Sequence, residues 1–476
     1  MNNIVKKIIG FSLGPVVGAF IAFITIPLTT YFVNPEEFGK ASMFVLLQLV
    51  FGTFMYLGID QSYTREYHVE EDKKQLFMNA LIIPLAFSLV FLILVIIKPQ
   101  VLSILLFEED KYILESILFS VMIIFMILER FILLSIRMEE KAFEYSILNI
   151  IVKLSVLIST LIFVAFVRQD FLAIIYSAVI GQIIGDIYLL IRYREKIDFK
   201  KFQLNKKLIK RMLIFGIPLL AATSLSSLLN SLDRIFLRAW SDFYELGIFA
   251  ATLKIAAILN IVQTSFTSLW IPIAYRWFEE KKEIVYFKVV SEGILLLMTV
   301  IFFFVVIFKG YLVQLLSSEY SQAQYLIAFL CLQPLLYTLS ETTSLGIAFS
   351  RKSYLSIWVS LFSLIPNIIF NILLIPVYGA KGAAVATAIS YLCFFAIRTY
   401  LSSKNGFKFS TKKHHLILSL LFIVSIVNSL ELQYTLVINL TLLILSIVLQ
   451  TSVIKVILKL YSAKKNKSSI NISQIL

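Results

Sequence analysis

The sequence predicts an all-α polytopic membrane protein with about fourteen transmembrane helices. They form two pseudo-symmetric six-helix lobes, arranged as a parallel repeat, and a C-terminal helix pair. Three observations carry this. The 476 residues are 59% hydrophobic and only 15% charged, against roughly 45–50% apolar and 25% charged in soluble domains. Apolar runs long enough to cross a hydrocarbon core, about 20 helical residues each, recur along the whole chain. Basic residues gather in alternate loops between those runs.

Taken in order, the spans fall at 8–32, 39–62, 75–97, 113–136, 143–167, 171–191, 210–237, 246–271, 284–308, 323–349, 355–375, 380–401, 416–430 and 434–454. The first follows Lys6 and Lys7 but stays apolar to Phe32, too long for a signal-peptide core. The stretch after the sixth span is the most basic, with Arg192, Arg194, Lys196, Lys200, Lys201, Lys206, Lys207, Lys210 and Arg211. Arg276, Lys281, Lys282 and Lys288 follow the eighth, and Lys455, Lys459, Lys464, Lys465 and Lys467 form a basic tail. The opposite loops hold only Lys40, Lys98, Lys111, Arg168, Arg238, Lys309 and Lys381. Cytoplasmic loops carry the excess of Lys and Arg, so both termini are expected in the cytoplasm. The net charge of +14 thus reflects membrane topology, and no nucleic-acid partner is implied.

Several function classes drop out. Cys331 and Cys393 both lie in apolar segments, so no disulfide framework is implied. His68, His414 and His415 fall outside the spans, which argues against a metal site and against an intramembrane histidine relay. No external loop has room for a catalytic domain, and no GxxxxGK[ST] phosphate loop is present. The chain is read as a non-enzyme with no cofactor, driven by a gradient or by substrate flux.

The repeat is visible in short matches. Glu37-Phe38-Gly39 and Glu245-Leu246-Gly247 open the second and eighth spans, and Glu71-Asp72-Lys73-Lys74 and Glu279-Glu280-Lys281-Lys282 follow those spans at the same offset. Lys141-Ala142-Phe143-Glu144-Tyr145 and Arg351-Lys352-Ser353-Tyr354 open the fifth and eleventh. A unit of six helices repeats with unchanged orientation, as in transporters built from parallel repeats, and the cleft between lobes is the natural substrate path. The expected domains are 1–205, 206–405, and 406–476 for the last two helices and the tail. Pro15, Pro27, Pro84, Pro218, Pro272, Pro334 and Pro366 lie in or at the ends of spans, where each frees a carbonyl and can kink its helix.

Ionisable side chains within lipid are costly and usually face a protein interior or a wet cavity. Arg130, Lys153, Arg234 and Lys254 are read as the cations lying inside the spans. Lys153 lies about 15 Å into the fifth span, too deep to snorkel comfortably. The seventh span adds Thr223, Ser224, Ser226, Ser227, Asn230 and Ser231, more polar groups than a lipid-facing helix needs. These residues are read as lining a wet lumen that meets an anion. Against that stand snorkelling for Arg234 or Lys254 and internal pairing. Glu129 and Asp233 adjoin the two arginines, but adjacent helix positions do not face one another. Asp60, Glu292 and Glu341 are the partners to consider on other helices. Glu129, Asp233, Glu292 and Glu341 form the set of coupling or pairing acids, and a proton or sodium gradient could act through them. Asp60 and Asp186 are expected near the interface.

The pattern resembles the MOP flippase superfamily, in particular its polysaccharide-transporter branch of Wzx-type O-antigen and lipid-linked-oligosaccharide flippases. The likeness rests on Pro27-Leu28 with Asn34-Pro35-Glu36-Glu37-Phe38-Gly39. It rests also on Gly216-Ile217-Pro218, Leu232-Asp233-Arg234-Ile235-Phe236-Leu237, Leu246-Gly247-Ile248-Phe249 and Leu253-Lys254-Ile255, and on Tyr378-Gly379-Ala380-Lys381-Gly382-Ala383-Ala384. It implies lobes that rock around a central cavity in the bacterial cytoplasmic membrane. The implied substrate is an oligosaccharide on undecaprenyl pyrophosphate, with a polysaccharide polymerase and a chain-length regulator as further partners. The four cations would then keep a passing pyrophosphate neutralised. The rivals are a multidrug or metabolite antiporter of the MATE type and a peptidoglycan-precursor flippase. The latter keeps arginines in its first helix, and this chain has none between Gly10 and Tyr31.

Overall fold

A computed structural model describes residues 3–197, 202–350, 352, 354–430 and 432–465. Lys200, Lys201, Arg351, Ser353 and Lys467 therefore lie outside the described residues. Among the described residues the chain is helical, with no strand.

Each predicted span coincides with helix. The first six are Asn3–Thr30, Pro35–Met55 continued by Ile59–Glu66, Lys73–Ile97, Ile113–Met138, Ala142–Ile162 with a π-helical turn at Phe163–Val167, and Phe171–Arg192. Lys206–Leu229 with Leu232–Trp240 makes the seventh, and Phe243–Ala256 with Leu259–Glu279, bent by 41°, the eighth. Ile284–Ile307 is the ninth, and the tenth is Ser318–Tyr325 with Ile327–Thr343, bent by 56°. The eleventh and twelfth form one run, Leu355–Lys404, broken at Gly379. Lys412–Ser429 and Thr435–Leu449 complete the set. Among the described residues, eight of these helices are long and apolar enough to cross a membrane, or ten when each bent pair counts as one.

Several helices start where a side chain satisfies one of their first N–H groups. Asn34, with Pro35 behind it, accepts from Glu37 N–H at 3.0 Å, and Asp242 accepts from Glu245 N–H at 2.8 Å. Asp72 and Asp170 cap the third and sixth spans in the same way. Apolar faces are divided between lipid and protein. On the third span Val90, Ile93, Leu94 and Ile97 are exposed at helical spacing, whereas Leu76, Phe77, Ala80 and Leu81 are buried. Lipid is as apolar as leucine, so close packing and hydrogen bonds between helices hold the fold together.

Among the described residues, short α-helices that the sequence does not predict lie between spans at Pro99–Phe107, after the third, and Lys309–Gln314, after the ninth. They occupy corresponding places in the repeat. The chain divides into compact units Met1–Arg234 and Ile235–Leu476. The repeat counts the seventh span with residues 206–405, yet it packs within the first unit. Gly216 meets Gly58 so closely that a Cβ on Gly58 would stand 2.1 Å from the Gly216 carbonyl oxygen. Ser62 Oγ also donates to the Met212 carbonyl at 2.7 Å.

Candidate functional site

In the first unit a chain of polar side chains crosses the packed second, fourth and sixth spans. Asp60, expected at the interface, is 6% exposed because the helix restarts at Gly58 and turns it inward. Its Oδ2 accepts from Arg130 Nη2 at 2.8 Å and from Gln61 Nε2 at 3.1 Å. The Arg130 guanidinium also lies 5.7 Å from the Tyr56 ring centre. Arg130 is thus held in an ion pair, and its buried Nε makes no hydrogen bond. One residue away, Glu129 Oε2 accepts from Gln182 Nε2 at 2.8 Å. The same amide nitrogen lies 3.0 Å from both Asp186 carboxylate oxygens. Asp186, also expected near the interface, is fully buried. Two carboxylates therefore share one amide between the fourth and sixth spans.

Lys153, midway along the fifth span, is exposed. Its charge acts on both Glu129 and Asp186. Among the described residues it makes no hydrogen bond and no close ion pair. Arg234 is half-buried, with Nη2 donating to the Asn230 carbonyl at 3.3 Å and Nε buried without a partner. Neighbouring Asp233 is buried, and Lys254 is exposed on the eighth span.

The second unit pairs its acids. Glu341 Oε1 accepts from Arg398 Nη1 at 2.7 Å, and the same nitrogen donates to Ser340 Oγ at 2.6 Å. Tyr337 and Phe394 flank the guanidinium, each ring centre 5.4 Å away. Sequence reasoning missed Arg398 by grouping it with the end charges of the twelfth span. Its offset from Asp186 equals that from Glu129 to Glu341, so aligning the fourth and sixth spans with the tenth and twelfth would have found it. Glu292 Oε2 accepts from Lys413 Nζ at 3.0 Å, with Lys288 Nζ 3.9 Å from Oε1. Beside it, fully buried His414 contacts Ser291 Oγ at 2.9 Å. Internal pairing, the rival reading, is therefore what the structure shows for Arg130, Glu292 and Glu341. Among the described residues, no cluster of His, Cys, Asp and Glu could hold a metal ion.

Comparison with known proteins decides the family. A family model described as polysaccharide biosynthesis protein matches residues 4–278, more than half of the chain. The chain belongs to this family. It is a multi-pass membrane protein by the length and apolar character of its helices. It is 26% identical over 195 residues to the capsular polysaccharide biosynthesis protein CapF of Staphylococcus aureus, covering 40% of this chain and 49% of the relative. It is 24% identical over 189 residues to Agl15 of Haloferax volcanii, a probable low-salt glycan biosynthesis flippase, covering 36% of this chain and 39% of that one. The chain thus matches half or less of the length of these curated relatives. Among solved structures, the lipid II flippase MurJ in an inward closed conformation superposes with a TM-score of 0.71 at 16% identity, covering 93% of this chain and 98% of that one. An inward-facing multidrug resistance MATE family transporter gives 0.62 at 13% identity, covering 84% and 98%. Identities this low establish the fold alone.

Proposed function

We propose that the chain is a flippase that moves undecaprenyl-pyrophosphate-linked oligosaccharide units across the bacterial cytoplasmic membrane. The product would feed an O-antigen, capsule or exopolysaccharide, with a polymerase and a chain-length regulator downstream. The observation that carries this reading is Lys153. An exposed ammonium midway along an apolar helix is costly against lipid, by at least about 2.5 kcal/mol, and is at home in a wet passage for an anion. Family membership narrows that anion to a glycan carrier. Arg234 and Lys254 supply further positive charge, Arg by its forked donors and Lys as a point charge. Arg130, its side chain 38% exposed, adds charge while Asp60 orients it. The sugar would cross by alternating access through a cationic central cavity, with the lipid tail left in the bilayer. The acids Glu129 and Asp186, sharing the Gln182 amide, suit coupling to a proton or sodium gradient, because two adjacent carboxylates resist ionising together.

The MATE-type reading is favoured by this same acid pair, since a cationic drug would seek carboxylates. Proteoliposomes separate the two. The proposal expects movement of a lipid-pyrophosphate oligosaccharide that falls severalfold in Lys153→Ala and Arg234→Ala at matched folded protein. Export of a cationic drug with no oligosaccharide movement would establish the rival.

A further inference from the structure

The seventh span is fixed on one face by the Gly58–Gly216 approach and the Ser62 bond to Met212. The other face forms one wall of an open groove of about 650 Å³, carrying Lys206, Lys210, Leu213, Ile217 and Pro218. Ile83 of the third span supplies the facing wall. Asn79 on that span ties the walls together at the lysine end. Its Nδ2 donates to the Gln203 carbonyl at 3.1 Å, and its Oδ1 accepts from Asn205 N–H at 2.8 Å. The separation of the walls is therefore set by hydrogen bonds.

The chemistry of this groove is divided along its length. Lys206 and Lys210 stand one helical turn apart at one end, and the remainder is apolar. Neither lysine has a hydrogen bond or ion pair among the described residues. Such a trough complements an amphiphile with an anionic head and an apolar chain. Size then selects among amphiphiles. From Lys206 to Pro218 the helix rises about 18 Å. A single trough of that length suits one extended chain, whereas a diacyl phospholipid brings two.

We infer that this groove binds the phosphate-proximal isoprene units of a polyprenyl phosphate, with Lys206 and Lys210 on the phosphate oxygens. The inference rests on the flippase reading and adds a track for the lipid part of the substrate, separate from the passage assigned to the sugar.

The test uses the full chain in phosphatidylcholine nanodiscs and geranylgeranyl monophosphate carrying a photoreactive group on its last isoprene. Native protein is expected to show saturable labelling on peptides containing Ile83 and residues 209–218. Lys206→Gln/Lys210→Gln should weaken binding at least about tenfold, the scale of a lost charge-assisted hydrogen bond, and Lys206→Arg/Lys210→Arg should retain it. Leu213→Trp should block labelling by filling the trough. An unchanged unfolding temperature in each variant excludes misfolding. Labelling insensitive to these changes overturns the inference, as does equal displacement by phosphatidylglycerol, which would mark a site for bulk anionic lipid. Groove labelling in a protein that moves no oligosaccharide would remove the transport reading while leaving this site in place.

Discussion

Glu245 Oε2 accepts the backbone N–H of Ala380 at 2.8 Å. The first unit makes the same contact, with Glu37 Oε2 accepting from Phe171 N–H at 2.9 Å. In each unit the acid lies three residues after a side-chain N-cap, Asn34 or Asp242. It then reaches the first N–H of a helix more than 130 residues away, where an unpaired donor and the positive end of the helix dipole favour a carboxylate. The sequence match between Glu37 and Glu245 thus marks a bond that joins the second and sixth helices of each six-helix unit.

Glu245→Ala should destabilise the protein by about 1–3 kcal/mol, the range for losing a charged hydrogen bond, and Glu245→Gln by less. Gly379→Ala should also destabilise it. Gly379 has φ +51°, and an added Cβ would stand 2.7 Å from Glu245 Oε2. Thermal unfolding in detergent reads all three.

How much of this was legible follows from where each signal lives. Spans and repeat were readable because hydropathy and short motifs are local in sequence. The partners of the charged residues were not, because they depend on how each helix is rotated about its axis. The rotation of their helices turns Asp60 and Asp186 into the protein interior, which distance from a span end does not reveal. Glu37 and Glu245 were read as motif letters because their acceptor role involves a residue 134 or 135 positions away.

Arg130→Met would leave Asp60 buried without its cation. Breaking a buried pair costs about 3–5 kcal/mol, and the partial exposure of Arg130 reduces the expected loss to about 1–3 kcal/mol. Asp60→Asn/Arg130→Met should recover much of that loss. If Arg130 also acts on substrate, transport stays low in the double variant after stability returns, which a double-mutant cycle with both readouts will reveal.

Asn428 and Asn439 exchange side-chain hydrogen bonds at 2.8 and 3.1 Å and fix the register of the last two spans. Asn439→Leu should cost about 1–3 kcal/mol by leaving a buried amide unsatisfied. Asn428→Leu/Asn439→Leu should cost less than either single change, as read by unfolding in lipid nanodiscs.

At the end of the fourth span, Glu139 is bonded by Lys196 and is 2.8 Å from Lys141. Partial burial pushes its carboxyl up, but hydrogen bonds and charge from these two lysines prevail and hold it below the ordinary value. Its contribution to stability is complete above the ordinary glutamate range and is lost as pH falls through the lowered folded value. Glu139→Gln should therefore reduce stability at pH 7, and the difference from the native chain should shrink on acidification below about pH 4, near the unperturbed glutamate value.

The central claim is that the chain carries an anionic lipid-linked glycan across a bilayer. The most direct measurement loads lipid-pyrophosphate oligosaccharide into one leaflet of proteoliposomes and follows its access to a sugar-modifying reagent confined to the other side. The account predicts that the native chain makes the substrate accessible well above protein-free vesicles, and that Lys153→Ala removes most of that gain. Access no faster than in protein-free vesicles, with the native chain folded and correctly inserted, would contradict it.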